Sequence, residues 1–373
     1  MKVAVVLGTR PEIIKMAPVI KALDARGVTP ILIHTGQHYS YEMDRLFFED
    51  LALPEADHNL EVGSGRQGEQ TGRMLARIET TLLDEAPDAV LVQGDTNTVL
   101  AGALAAAKLL IPIGHVEAGL RSFDRTMPEE LNRILADHLS TWLFAPTPRA
   151  AAQLAQEGIP DRRVSVTGNT IVDAVHYAAE RAATKSAVLG RLGLTGDGYL
   201  LLTAHRQENV DDRHRFAGIL KGAAQVGDAL GHEVVYPIHP RARKMLEGFG
   251  LDTSSLRLIE PVGFLDFLEL ERNARLVLTD SGGVQEESCI LGVPCVTLRD
   301  NTERPETVDV GGNVLAGTDP ERIVRAAKRM SAVIRGWDNP FGDGHASERI
   351  ARAVMTGPPD TAPEGKLAAE GTT

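Results

Sequence analysis

Three groups of carboxylates in the first half of this 373-residue chain stand where a proton could be exchanged. Val90-Leu-Val-Gln-Gly-Asp95 ends an apolar run in Asp95, and Ile113-Gly-His-Val-Glu117 ends the next in Glu117. Met127-Pro-Glu-Glu-Leu-Asn-Arg133 opens a helical pattern with Glu129 and Glu130. Taken singly, Asp95 would cap a helix from Thr96, and the Glu129–Glu130 pair would complement a helix dipole. Carboxylates at two strand ends and a nearby helix start suit an acid/base group better, provided that a phosphate ester binds beside them.

The second half offers a place for that phosphate. Arg275-Leu-Val-Leu-Thr279 runs into Asp280-Ser-Gly-Gly-Val-Gln-Glu-Glu287, where glycines allow close backbone approach and the following helix presents free N–H groups. A plain helix cap by Asp280 or Ser281 explains the same residues equally well. A carboxylate one turn further in, at Glu286 or Glu287, favours a nucleotide, because an acidic side chain commonly grips a ribose diol beside a phosphate-binding helix. Gly8-Thr-Arg-Pro-Glu-Ile-Ile-Lys15 has the same form, with Pro11 early in the helix and Arg10 and Lys15 as cations. Thr203-Ala-His-Arg-Gln-Glu-Asn209 sets His205 and Arg206 at the lip of another strand. Gly63-Ser-Gly-Arg-Gln-Gly68 matches a dinucleotide pattern but lacks the buried strand that must precede it, so a nicotinamide cofactor is not expected. The sequence also lacks the P-loop, zincin and nucleophile-elbow patterns, and neither metal nor cofactor is expected.

What must position these residues is a parallel sheet covered by helices, since short Val/Ile/Leu runs alternate with longer helical periods along the chain. Buried strands are expected at 2–7, 28–34, 88–93, 111–116, 141–145 and 163–167, with amphipathic helices such as 11–26, closed by Gly27, and 69–85 between them. A second series covers 199–203, 234–238, 256–259, 275–279, 294–298 and 313–315. The fold class is therefore α/β: two Rossmann-like doubly wound domains, expected to face each other across a cleft where a ligand would bind. The expected division is 1–184 for the domain with the acids, 185–198 as a glycine-rich linker, and 199–356 for the second domain, whose last helix packs back on the first. The Pro-rich tail 357–373 has no apolar period and is expected to be disordered.

Composition narrows the partners. Apolar residues at 43% and charged residues at 24% describe an ordinary globular chain long enough for about two to three domains. A net charge of −12 without a basic cluster argues against nucleic acid. Cys289 and Cys295 form neither a disulfide framework nor a zinc pattern, which fits a reducing cytoplasm. The run from Val99 to Gly114 carries Lys108 and Pro112 and falls short of the ~20 residues that span a bilayer, so no membrane is expected.

These segments resemble the UDP-N-acetylglucosamine 2-epimerase family from end to end. The match runs through Gly8-Thr-Arg-Pro-Glu12, Thr35-Gly-Gln-His38, Gln93-Gly-Asp-Thr-Asn97, His115-Val-Glu-Ala-Gly-Leu-Arg121, Pro128-Glu-Glu-Leu-Asn-Arg133, Thr167-Gly-Asn169, Ala204-His-Arg-Gln-Glu208, Asp280–Glu287 and Thr302-Glu-Arg-Pro-Glu306. The resemblance implies a glycosyltransferase-B type fold, a cytoplasmic homodimer, and reversible conversion of UDP-GlcNAc to UDP-ManNAc for surface polysaccharide. It further implies that Asp95, Glu117, Glu129 and His205 are catalytic. UDP would be met by Arg10, His205, Ser281, Gly282, Gly283, Glu287 and Arg304, with uracil near Phe267 and with Lys15 and Arg133 among the substrate-binding residues. Where many bacterial members hold a second, activating substrate, this chain has Gln37-His38-Tyr39-Ser40 and His205-Arg206-Gln207-Glu208, which depart from their pattern. Other readings are a hydrolysing 2-epimerase, a 2-epimerase of a diacetamido sugar nucleotide, a glycosyltransferase of the same fold, and a silent nucleotide-sugar sensor.

Overall fold

The computed structural model describes residues 1–37 and 47–359, so His38 to Ser40 and residues 360–373 of the expected tail lie outside the described residues. The chain divides into two units. Unit 1 comprises Met1–Asp44, Pro54–Gly168 and His345–Thr373, and unit 2 comprises Arg45–Leu53 and Asn169–Gly344.

Unit 1 grows from Val3-Ala-Val-Val-Leu7, a run buried along its whole length, as a parallel strand with helices over both faces must be. Its strands are β1 Val3–Leu7, β2 Ile31–His34, β3 His58–Asn59, β4 Ala89–Gln93, β5 Ile113–Val116, β6 Trp142–Ala145 and β7 Val164–Val166. All pair in parallel, in the order β3-β2-β1-β4-β5-β6-β7, with Val5 opposite Leu32 on one side and Leu91 on the other. The chain therefore leaves the centre towards one edge and returns to build the other, and the reversal lies between β1 and β4. Gly8–Arg10 leave the end of β1 and Asp95 follows the end of β4, so both stand where a doubly wound sheet binds ligands.

Unit 2 repeats the plan with β8 Tyr199–Thr203, β9 Glu233–Pro237, β10 Arg257–Ile259, β11 Leu276–Thr279, β12 Cys295–Thr297 and β13 Asn313–Leu315. The order is β10-β9-β8-β11-β12-β13, again parallel. Here the reversal lies between β8 and β11, whose last residues Thr203 and Thr279 are in register and share a hydroxyl–hydroxyl bond of 2.6 Å. His205 and Arg206 follow one strand, and Asp280–Glu287 follow the other.

Three features depart from the sequence reading. The two-residue strand β3 was not expected, being too short and too polar for an apolar-run criterion. The break between units falls at Gly168–Asn169, ahead of the expected 184, because the helix Thr170–Lys185 packs on the helices Phe264–Arg272 and Gly282–Ile290 of unit 2. Residues 185–198 are consequently no linker: Val188 is fully buried with Tyr199, Leu201 and Leu270, and Gly193 serves as the left-handed cap of the helix Val188–Leu192. The chain also crosses back near its end, where Ile350, Ala351 and Val354 are buried and the helix Ala346–Met355 packs on Arg10–Asp24 in unit 1.

Candidate active site

In unit 1 two of the acids sit on a cavity of about 250 Å³. Asp95 and Glu129 both line it, among an amide wall of Gln37, Gln67, Gln70, Asn97 and Asn132. Asn97 donates from Nδ2 to Gln67 Oε1 at 2.6 Å and to Gln70 Oε1 at 2.9 Å. Asn132 Nδ2 donates to the Asp95 carbonyl at 2.9 Å. This wall was not read from the sequence; its signal was the Gln67–Gln70 pair at helical spacing just after Gly63-Ser-Gly65, whose loop lines the same cavity.

The alternative reading of Asp95 as a helix cap does not hold. Thr96 takes the N-cap position of the helix Asn97–Lys108, and the half-buried Asp95 carboxylate is ion-paired with Arg133. Arg133 also reaches Glu130 at 3.0 Å, so it bridges two carboxylates. Glu130 is buried and accepts from Ser122 N, Ser122 Oγ and Phe123 N at 2.8–2.9 Å. Burial works against its charge, yet these bonds and Arg133 keep its carboxyl below the usual range. Glu130 ties a loop to the start of the helix Pro128–Leu139, whereas the exposed Glu129 faces the cavity.

Glu117 lies deeper. Its Oε1 meets Lys15 Nζ at 2.7 Å with both side chains buried, and its Oε2 accepts from Gln93 Nε2. Its backbone takes φ +72°, a left-handed conformation costly for a residue with a Cβ and concentrated at functional sites. Gly94, at φ +87°, lets the chain turn beside it: a Cβ built there would stand 4.0 Å from Glu117 Oε2. Nearby, Glu12 caps the β1 turn, accepting from Gly8 N at 2.5 Å, Thr9 N at 3.0 Å and the Thr96 hydroxyl. Burial outweighs those bonds and pushes its carboxyl up to about 7. Arg10 opens the helix that follows.

Unit 2 is built differently. Ser281, not Asp280, is the N-cap of the helix Gly282–Ile290. Asp280 is fully buried and turns back to accept from His205 N, Arg206 N and Asn209 Nδ2 at 3.0–3.1 Å, with His205 Nδ1 at 3.2 Å. Burial opposes the charge, but these partners, His205 first, hold its carboxyl below the usual range. The exposed His205 ring is thus oriented from behind. A Cβ added at Gly282 would come no closer than 3.7 Å to a neighbouring side chain, and at Gly283 no closer than 3.9 Å. Packing within the unit does not require these glycines, and they leave the helix start open for close approach of a ligand.

Two carboxylates follow in the helix. Glu286 is buried against Arg304 Nε at 2.7 Å, while Glu287 lies beside Glu271, whose carboxyl is pushed well above its usual range by burial and then by Glu287. Phe267, partly buried, packs against the apolar cluster that holds Val284 and Tyr199.

Comparison with known proteins adds independent findings. The family model described as UDP-N-acetylglucosamine 2-epimerase matches residues 21–355. A UDP-N-acetylglucosamine 2-epimerase of Methanocaldococcus jannaschii is 53% identical over 96% of this chain and 100% of its own length. Its crystal structure with UDP-GlcNAc and UDP superposes with a TM-score of 0.86 over 96% of this chain and all of that one. The UDP-GlcNAc 2-epimerase of Neisseria meningitidis, solved bound to UDP-GlcNAc, gives a TM-score of 0.86 at 35% identity, covering 95% and 100% of the two chains. A UDP-2,3-diacetamido-2,3-dideoxy-D-glucuronate 2-epimerase of Pseudomonas aeruginosa is 42% identical over 94% of this chain and 98% of its own.

Proposed function

Because the chain belongs to the UDP-N-acetylglucosamine 2-epimerase family, we propose that it interconverts UDP-GlcNAc and UDP-ManNAc by eliminating UDP and adding it back. The observation that carries this reading is the pairing, in one chain, of an acid-walled cavity at the sheet reversal of unit 1 with a glycine-opened helix start at that of unit 2. The 53% identity to the M. jannaschii enzyme favours the N-acetylglucosamine nucleotide over the diacetamido uronate.

The chemistry explains the residue types. C2 of the sugar has no neighbouring carbonyl, so its proton cannot simply be removed and returned. A carboxylate takes the C2 proton as the C1–O bond to UDP breaks, leaving 2-acetamidoglucal with a C1=C2 double bond. Protonation of C2 from the opposite face, with UDP re-added at C1, gives the epimer. Two faces need two proton carriers, which the Asp95, Glu117 and Glu129 group supplies. Lys15 on Glu117 and Arg133 on Asp95 orient two of these carboxylates. On unit 2, the N–H groups behind Gly282 and Gly283, with Ser281, Arg304 and His205, meet the pyrophosphate, Glu287 accepts from the ribose, and Phe267 flanks the uracil. Arg10 is a further cation for the phosphates.

Proton NMR of the purified protein with UDP-GlcNAc in D₂O tests the reading. UDP-ManNAc carrying deuterium at C2 is expected, without added NAD or metal. Accumulation of UDP and free ManNAc would make it a hydrolysing enzyme, and product without C2 deuterium would end the elimination mechanism. We further propose a cytoplasmic homodimer supplying surface-polysaccharide precursors. In support of that compartment, Cys289 and Cys295 are free, and among the described residues no helix is long and apolar enough to cross a membrane. Sedimentation at working concentration tests the dimer.

A further inference from the structure

The segment His115–Arg121 carries polar side chains that the proposed chemistry leaves without a role. His115, on β5, is fully buried, with Nδ1 2.7 Å from Asp137 Oδ1 and Nε2 2.8 Å from the carbonyl oxygen of Gly94. A backbone carbonyl can only accept. Asp137 is an acceptor as well, because its other oxygen takes Arg121 Nη1 at 2.7 Å and Gly119 N at 3.2 Å. Either neutral tautomer of His115 would set a lone pair against an oxygen, at the cost of a buried unmet acceptor. Both ring nitrogens must therefore carry hydrogen.

We propose that His115 is a permanent imidazolium that anchors the Gly94–Asp95 turn and supplies the buried positive charge against which the proton-transferring carboxylates work. The proposal deepens the epimerase reading and rests on it for the identity of those carboxylates. Gly94 turns at φ +87° with its carbonyl held by His115, while Asn132 holds the carbonyl of Asp95 next along the chain. The charge is tolerated because it ends an alternating series: Glu157 grips Arg121 through two bonds of 2.6 and 2.8 Å, Arg121 meets Asp137, and Asp137 meets His115. The other titratable or charged groups near this series are Glu117, which favours the imidazolium, Arg163 near Asp137, and His138, 3.6 Å from Glu157. Burial alone would discharge His115, but Asp137, the Gly94 carbonyl and Glu117 together raise it above the ordinary histidine range. His115 is a positioning residue: it touches the turn, not the substrate.

The test begins with the unaltered protein labelled with ¹⁵N-histidine. Both His115 nitrogens are expected at the imidazolium shift, unchanged from about pH 6 to about pH 9, where an ordinary histidine would have lost its proton. A neutral-tautomer signature, or titration within that window, overturns the proposal whether or not the protein is an epimerase. In turnover, His115→Gln should lower kcat by about 10- to 100-fold, as removal of an orienting outer partner commonly does. It should also move the acidic limb of the pH profile upward, since losing a nearby positive charge raises the proton affinity of the carboxylates. UDP affinity by calorimetry should not change. An unshifted acidic limb overturns the electrostatic role. If His115→Gln does not fold, Asp137→Asn keeps the oxygen but removes its charge, and should bring His115 into titration within that window; a ring that stays charged throughout in this variant overturns the assigned role of Asp137. Absence of any epimerisation by the unaltered protein would defeat the functional reading alone, because the charge state is read independently.

Discussion

Both units put strand-to-helix turns at the reversal of a parallel sheet, yet they treat those turns in opposite ways. In unit 1 the turns are filled: Glu117 is locked to Lys15, Asp95 to Arg133, and the Gly94 carbonyl to His115. In unit 2 the corresponding helix start is left clear, with Gly282 and Gly283 leaving more than 3.5 Å to neighbouring side chains and Asp280 turned away to fasten His205. The difference fits the two tasks proposed for them. Proton transfer needs side-chain charges whose orientation is set before the substrate arrives, whereas an anion is met by backbone N–H groups that need only room. A site can thus be recognised as reactive by its wiring and as binding by its space.

The largest expected effect breaks the first half of that comparison. Asp95→Asn, Glu117→Gln and Glu129→Gln should each lower kcat by about 10²-fold or more while leaving UDP affinity intact. Normal turnover in steady-state assays of any one would return that residue to a structural role. Next comes Glu287→Ala, expected to weaken UDP binding by about 1.5–3 kcal/mol through loss of a charge-assisted ribose bond. Calorimetry with UDP decides it: normal binding by this variant, with binding abolished in Arg10→Ala, would move the nucleotide to unit 1.

A smaller effect probes the empty space itself. Gly282→Ala meets no close neighbour and improves helix propensity, so the melting temperature should hold or rise. UDP binding should nevertheless weaken by about 1 kcal/mol or more, the cost of a methyl group in the ligand's place. Unimpaired binding would mean that the glycines serve something other than access.

The smallest effect sets the two units against each other in pH. Glu12 in unit 1 is raised from 4.5 to about 7, so between those values the folded chain keeps a proton that the unfolded chain has lost. Unit 1 should be most stable below about pH 4.5 from this group and lose about 1 kcal/mol per pH unit at most as pH rises towards 7. In unit 2, Glu303 is held down at about 2 by Arg299, so its contribution is present above 4.5 and is lost as pH falls towards 2. Trp142 and Trp337 report on the two units separately. Urea titrations followed through Trp142 in a Trp337→Phe background should show the slope, and Glu12→Gln should flatten it. A slope unaffected by Glu12→Gln would assign it elsewhere.

Much of this molecule was legible in its residues because parallel strands buried on both faces must be continuous apolar runs. The expected strands 2–7, 88–93 and 199–203 correspond to β1, β4 and β8 within a residue or so. The motif positions were equally readable, since glycines, acids and cations at strand ends have few structural reasons to recur together. Short polar β3 escaped that criterion, and the unit boundary did too, because composition marks where a chain is glycine-rich but not which core a helix joins. Residues 185–198 look like a linker by composition and pack as part of unit 2 through Val188.

By itself the sequence determined the two sheets, the order of their elements and the kinds of group at each strand end, because these follow from local periodicity and residue chemistry. Tertiary structure alone decided what each group does. Glu129 and Glu130 are adjacent and alike in sequence, yet one faces the cavity and the other is spent on Ser122, Phe123 and Arg133. Asp280 and Ser281 compete equally as caps until the register of β8 with β11 brings His205 and Arg206 within reach of the aspartate. His115 acquires a charge only because Gly94 and Asp137, distant in sequence, both aim oxygen atoms at it. Hydrogen bonding and burial act through space, and a one-dimensional pattern carries their participants without carrying their pairing.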